Sequence, residues 1–327
     1  MDILRRFRVP TGDILIVSGE HGSLEMLSLG DYGKDANIKC DALGLSRIPQ
    51  RVVHQMMLPL ADKWVITIST QYGCSMGCRF CDVPKAGPGR NATLDDMLNQ
   101  IRTGMSLHPG IVESDRLNIH FARMGEPTWN PKVIECANRI HDGLGEFNPH
   151  PVVSTMMPKR NAKLGQFIES WMTVKNDMFR GNAGLQLSIN STSEVERNEM
   201  FSGNALSLRG IADIMSGAVP FGRKITLNFA LAGYRIDPDV LLRHFSPFRY
   251  LVKLTPMHRT AACAESGIAT GGVAEEYAPY AYDESRLREA GYDVLVFMAS
   301  EEEDRSRITC GNAILSGTLP QMAQNGD

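Results

Sequence analysis

Gly73-Cys-Ser-Met-Gly-Cys-Arg-Phe-Cys81 is the stretch whose reading decides the fold. Its cysteines, Cys74, Cys78 and Cys81, have the spacing C-x3-C-x2-C. Iron–sulfur clusters are held by cysteine thiolates at short spacings, and this spacing supplies three thiolates where a [4Fe-4S] cubane has four irons. The fourth iron is left without a protein ligand. A structural zinc site wants four closed ligands, usually from two C-x2-C or H-x3-H pairs far apart in sequence. No second pair exists here: Cys40, Cys136, Cys263 and Cys310 are scattered singly, and the eight histidines form no paired motif.

An iron with an open position can chelate the amino and carboxylate groups of S-adenosylmethionine, which is the radical SAM arrangement. The motif therefore points to an enzyme with two cofactors, a [4Fe-4S] cluster and S-adenosylmethionine. The surrounding chain is compatible with this. Its 327 residues, 43% of them hydrophobic, suffice for one large α/β domain plus a small appendage. The N-terminus lacks the apolar core of a signal peptide, and no apolar run approaches the roughly 18 residues of a membrane span. Seven cysteines, three of them committed to a cluster, do not read as a disulfide framework. The expectation is a cytoplasmic protein with no membrane contact.

Outward from the cysteines, the chain from residue 63 alternates short β-rich runs with helical patterns, the signature of βα units and a parallel sheet. Strands are expected near 64–70, 116–122, 151–155, 184–189, 224–231, 250–255 and 293–298. Helical patterns lie at about 93–107, 131–143, 161–173, 193–200, 207–217, 237–245 and 283–291. Six strands make a partial (βα)6 TIM-like barrel over residues 63–300, with the seventh strand at its edge. Residues 1–62 read as a small β-rich hairpin or meander, punctuated by glycine. Residues 301–327 form a C-terminal segment carrying Cys310, with a frayed polar end from Gln321 to Asp327. Loops at the C-terminal ends of parallel strands build the site in such barrels, and the three cysteines follow the first strand directly.

Polar residues recur at the next strand ends. Met124-Gly-Glu-Pro127 follows the second strand, where Gly125 permits close backbone approach and Glu126 can accept from the cofactor's ammonium. Ser154 and Thr155 end the third strand, and Ser188 and Asn190 end the fourth. Singly, each is an ordinary turn or capping residue. Together they form the polar ring that a cofactor over a barrel mouth needs.

These residues resemble the radical SAM adenine methyltransferases of 23S ribosomal RNA and transfer RNA, including the antibiotic-resistance members, over about residues 63–316. Lys85, Gly87, Arg90 and Asn91 stand at the spacings of that family's Lys, Gly, Arg and Asn. Met124-Gly-Glu-Pro127 resembles its Met-Gly-Glu-Pro, Ser154-Thr155 its Ser-Thr, and Ser188-Ile-Asn190 its Ser-Leu-His. Arg197-Asn-Glu199 is similar to its Arg-Asp-Glu, and Thr309-Cys310-Gly311 to its Ala-Cys-Gly. The resemblance implies cofactor contacts at Gly125, Glu126, Pro127, Ser154, Ser188, Asn190 and His258, the last standing where the family has an Asn. It implies that Cys310 is methylated on sulfur and that the methyl group, after hydrogen abstraction, adds to adenine. It also implies an electron donor such as flavodoxin or ferredoxin.

Two departures shape the expectation. The family's second catalytic cysteine lies seven residues before the first cluster cysteine, where this chain has Thr67. Cys263, after the sixth strand, is the substitute thiol by location, whereas Cys136 falls mid-helix and reads as packing. The family also carries a helical RNA-docking domain where this chain has about 60 β-rich residues. The net charge is -3, which gives no general affinity for phosphates. The expected substrate is nucleic-acid or nucleotide-like; the missing docking domain and the acidic balance speak against a large ribosomal RNA. Two other functions remain open: direct hydrogen abstraction on the same scaffold without methyl transfer, and a cluster-bearing binding or regulatory protein.

Overall fold

The alternation of apolar and polar residues after Lys63 builds one twisted sheet with helices on its outer face. The computed structural model describes residues 1–34, 54–270, 277–299 and 301–320. Among these, an antiparallel meander comes first: β1 (Ile3–Val9), β2 (Gly12–Gly19) and β3 (Gly22–Leu29). A separate two-stranded pair follows, β4 (Tyr32–Lys34) with β5 (His54–Met57). Then come β6 (Trp64–Ile68) and a second small hairpin that brackets the cysteines, β7 (Gln71–Gly73) with β8 (Pro88–Asn91). The remaining strands are β9 (Leu117–Phe121), β10 (Pro149–Thr155), β11 (Gly184–Ser188), β12 (Ile225–Leu231), β13 (Tyr250–Pro256) and β14 (Val294–Val296).

The main sheet has ten strands in the order β1-β2-β3-β6-β9-β10-β11-β12-β13-β14. From β6 to β14 every neighbouring pair is parallel, as the βα pattern predicts, and β14 is the edge strand. The helices are α1 (Leu94–Ser106), α2 (Lys132–Gly143), α3 (Leu164–Thr173), α4 (Glu194–Met200), α5 (Leu208–Ile214), α6 (Pro238–Leu242), α7 (Ala261–Ser266), α8 (Ala278–Glu289) and α9 (Glu301–Arg305). Local chemistry sets their starts. Thr93 and Asp96 form a reciprocal capping box on α1, an arrangement worth about 1 kcal/mol. Asp96 also accepts from the Glu20 amide (3.0 Å) and the Tyr72 hydroxyl (2.7 Å), which ties the meander and β7 to the same helix end.

Alternation along the strands separates two faces. Trp64, Ile66, Ile68, Leu117, Ile119, Phe121, Val153, Leu185, Leu187, Leu227 and Phe229 point outward into the core shared with the helices. Their neighbours point inward and are mostly polar. Thr67 lies beside His120, Ser154 beside Gln186, and Ser188 beside Asn228 on successive rungs.

The meander is no separate body. β3 pairs with β6 through Leu27↔Thr67, Ser28↔Ile66 and Leu29↔Val65, and the buried Trp64 indole donates to the Ser28 hydroxyl at 3.0 Å. Its inner face is covered by the C-terminal segment: Ile314, Ile308 and Leu315 pack on Ile14, Ile16, Leu27, Leu29, Phe7, Val9 and Val65. The N-terminal meander and the segment of residues 308–315 thus meet. Cys40 and residues 321–327 lie outside the described residues.

Candidate active site

The loop from Gly73 to Asp82 emerges from β7 and is pinned on both sides. Cys74 donates its amide to the Gly87 carbonyl (3.1 Å), Ser202 and Asn204 donate to the carbonyls of Gly77 and Met76 (2.6 and 2.7 Å), and Arg79 pairs with Glu199. Cys74, Cys78 and Cys81 are all partly exposed; Cys74 and Cys78 lie against an apolar bed that includes Met76, Met156, Met200 and Phe201, while Cys81 packs on the edge of the main core. Burial pushes the Cys74 thiol up to about 11 and that of Cys81 up to about 12. The Cys78 thiol is raised too, by burial and then by the charges of Cys81 and Cys74, so the three sulfurs share one space.

Does this set fit a cluster? Among the described residues no three His, Cys, Asp or Glu side chains converge to hold a single metal ion. A cluster presents a separate iron to each thiolate, so its ligands need not converge. The charges acting on the three sulfurs come from one another, Glu126, Asp82 and Cys310, all acidic groups. Such thiols become thiolates when a metal supplies the missing positive charge. The residues fit a cluster better than a mononuclear site.

Asp82 is the hub next to the motif. Its carboxylate is buried and accepts from the amides of Ala261 (3.1 Å) and Ala262 (2.8 Å) at the start of α7, the short helix that carries Cys263. Its own amide donates to the Gly311 carbonyl at 2.8 Å. Gly311 has φ +84, and a Cβ there would lie 3.3 Å from the Phe80 carbonyl oxygen and 3.7 Å from the Cys81 Cα. The preceding residue, Cys310, is exposed. The structure therefore sets Cys310, read from the far end of the sequence, directly beside the cysteine loop.

A buried ion pair fixes the same segment from below. Arg123 donates from Nε to Glu25 Oε1 at 2.9 Å, and its Nη2 reaches the same oxygen. Arg123 also donates to the Arg307 carbonyl (2.8 Å) and the Thr309 carbonyl (3.4 Å), while Glu25 Oε2 accepts from the Leu315 amide (3.0 Å). His258 and Asp304 hold the other side. Nδ1 of His258 lies 2.7 Å from Asp304 Oδ1, which also accepts from the Thr309 hydroxyl at 3.0 Å. His258, expected to face the cofactor, is thus partnered through one ring nitrogen with the C-terminal segment.

The remaining expected contacts divide in two. Gly125 has φ +97, and a Cβ there would lie 2.6 Å from Gln71 Cβ and Cγ, so the chain runs against β7 as only glycine allows. Glu126 is buried, and its oxygens accept from Thr128 (amide 3.1 Å, hydroxyl 2.8 Å) and from the Met156 amide (3.0 Å). Pro127 opens the short turn that follows. Asn190, at φ +61, spends its side-chain oxygen on the Ala230 amide at 3.1 Å. By contrast, the hydroxyls of Ser154 and Ser188 face inward with no hydrogen bond among the described residues. Cys263 is fully buried in the bed under the loop, its sulfur 3.7 Å from the Phe80 carbonyl, and burial raises its thiol. Cys136 is buried in α2, as expected of packing. The Glu25–Arg123 pair carries no sequence signal of its own.

No family model matches the chain. Among curated proteins, it is 27% identical to the "Probable dual-specificity RNA methyltransferase RlmN" of Gemmatimonas aurantiaca, over 64% of this chain and 55% of the relative. It is also 27% identical to the dual-specificity RNA methyltransferase RlmN of Sorangium cellulosum, over 78% of this chain and 62% of that one. The chain is thus similar in sequence to RlmN proteins. It spans little more than half the length of the first of these relatives and under two thirds of the second. The fold matches a solved radical SAM methyltransferase from Sphaerobacter thermophilus with a TM-score of 0.66, covering 95% of this chain and 80% of that one at 17% identity. No described helix is long and apolar enough to cross a membrane.

Proposed function

We propose that this protein is a radical SAM methyl or methylene transferase that carries the transferred carbon on Cys310 and acts on a nucleic-acid or nucleotide-like substrate. The observation that carries this is the placement of an exposed Cys310 one residue from Gly311, whose carbonyl accepts from the amide next to Cys81 at 2.8 Å. A cysteine held there is accessible to a cofactor on the cluster loop and to a substrate arriving from solvent. Cys74, Cys78 and Cys81 would hold three irons of a [4Fe-4S] cluster, leaving one open for S-adenosylmethionine. When bound, these cofactors supply a one-electron cleavage that yields a 5′-deoxyadenosyl radical, with an external donor such as flavodoxin or ferredoxin providing the electron.

The chain's own residues do the rest. Gly125 lets the backbone come close, and Ser154 and Ser188 offer hydroxyls that are unpaired among the described residues. The Cys310 sulfur, once its proton is lost, accepts a methyl group as a soft nucleophile and later serves as the leaving group. Release of the product from that sulfur is the step for which Thr67 offers no thiol. Thr67 sits on the inner face of β6 between Leu27 and His120, and among the described residues Cys263 is the remaining thiol near the loop. The same Thr67 favours a second reading, direct hydrogen abstraction from the substrate with no carbon carried on Cys310.

Incubation of the reconstituted, reduced protein with methyl-labelled S-adenosylmethionine separates the two. A label on Cys310 by peptide mass spectrometry supports the carrier. An unlabelled Cys310 with continued 5′-deoxyadenosine production rejects it in favour of direct abstraction.

A further inference from the structure

At the opposite end of the barrel from the cysteines, three basic side chains meet where the strands begin. Arg116 precedes β9, His150 is the second residue of β10, and Arg223 stands two residues before β12. Register puts them on the inner side. His150 lies beside Asn118, to whose side-chain oxygen Arg116 Nε donates at 3.0 Å. Gly184 lies beside the inward Val152, and Arg223 Nη1 is 3.1 Å from where a Cβ on Gly184 would stand. The guanidinium thus lies over the inner face of β11, in space that the glycine leaves open.

Among the described residues, neither guanidinium is paired with a carboxylate. The Arg223 guanidinium makes no hydrogen bond or ion pair among the described residues. The carboxylate that acts on Arg116 is Asp31, already paired with Lys63. The bases feel one another: burial and then Arg116 bring Arg223 down to about 10, while burial, then Arg116 and Arg223, push His150 down to about 4. Like charges gathered away from water are costly unless a counter-charge joins them. Directly above, the Thr226 hydroxyl is buried, and neither it nor the side chain of its neighbour Gln186 has a hydrogen-bond partner among the described residues.

We infer that the floor of the barrel is an oxyanion site in which Arg223, Arg116 and His150 receive the phosphate or carboxylate end of a small ligand, with Thr226 and Gln186 as further polar contacts. Planar guanidinium groups match both oxyanions. Four residues of strand separate the level of Arg116 from that of His120, about 13 Å at the usual rise. A ligand anchored at the floor would extend toward the mouth along the polar inner face. This site stands independently of the methyl-transfer proposal.

The test is calorimetric titration of the full-length protein with inorganic phosphate, and separately with acetate, at ionic strength held constant with chloride. Saturable one-site binding of either is expected, and the two arms show which oxyanion the floor prefers. Arg223→Gln should weaken that binding at least tenfold, whereas the exposed Arg209→Gln should leave it unchanged. In case Arg223→Gln fails to fold, NMR titration of the His150 ring in the unaltered protein gives a second readout, with its midpoint moving up when the anion is present. Absence of saturable binding for both anions, or an Arg223→Gln protein that binds as well as the original, overturns the site.

Discussion

Glu25 and Arg123, 98 residues apart in the chain, are both almost wholly buried, and the backbone on either side of Cys310 depends on them. Glu25→Ala leaves the Arg123 guanidinium with two carbonyls and no counter-charge, and leaves the Leu315 amide without its acceptor. Removing one partner of a buried pair costs about 3–5 kcal/mol. The orphaned amide falls within the same local collapse, so the expected loss in urea unfolding is about 3–5 kcal/mol rather than a larger sum. Arg123→Met should cost a similar amount. Glu25→Met with Arg123→Met replaces the pair by apolar side chains, and its loss should be well below the sum of the two singles. Stability alone does not report on Cys310, so the alkylation rate of Cys310 by iodoacetamide in native buffer is measured alongside. The double variant should be stable yet show a changed Cys310 rate, because the carbonyls of Arg307 and Thr309 have lost their donor. Single variants costing less than about 1 kcal/mol, or a double variant whose Cys310 reacts as in the original protein, would refute the clamp.

Three further expectations follow from neighbouring contacts. Burial raises the pKa of Asp304, but the hydrogen bond and charge of His258 and the bond from Thr309 more than offset this, and the carboxyl ends below its ordinary value. A depressed carboxylate contributes stability above its unfolded pKa and loses it as pH falls through the folded one. The stability difference between the original protein and Asp304→Asn should therefore be flat from pH 7 to about pH 5 and shrink below the ordinary carboxylate pKa; a difference that grows toward acid contradicts the assignment. Asp82→Ala removes the acceptor for Ala261 and Ala262 and should cost about 1–3 kcal/mol, with lower iron content after reconstitution, and full iron loading at unchanged stability would count against Asp82 as the hub. Gly125→Ala meets Gln71 at 2.6 Å in a left-handed conformation and should cost at least about 1 kcal/mol by thermal unfolding; a neutral outcome would mean that this turn is not held as described.

The strands from Trp64 onward were legible because each is a short run of β-branched or large apolar residues between turn formers, and Ile225–Leu231 falls within a residue of the expected 224–231. The hairpin of Gln71–Gly73 with Pro88–Asn91 was not. Its strands are short, and the second opens with Pro and Gly, which read as turn. Helix α7 was equally hidden, because much of its N-terminal support comes from Asp82, about 180 positions away. The cysteine loop and Cys310 could be read from spacing and resemblance, since the chemistry is in the residue types. Glu25 and Arg123 could not, because each sits singly in an ordinary strand or turn. Glu126 and Asn190 lie at the strand ends where they were expected, yet their polar atoms are largely taken by the backbone, a competition that sequence does not reveal.

The anchors around Cys310 limit what that residue can do. Thr309 is held by Arg123 through its carbonyl and by Asp304 through its hydroxyl, Gly311 by the Asp82 amide, and Leu315 by Glu25. With both flanking residues held, the Cys310 sulfur is repositioned mainly by rotation about its own side-chain bonds. On the carrier role proposed for Cys310, the methyl group would have to be received and presented within the sweep of one side chain, so a single cofactor pocket beside Cys81 would serve both events. The meander of residues 1–29 supplies Glu25 and the apolar face on which the Cys310 segment lies, so under the same proposal it would act on the chemistry by positioning that segment.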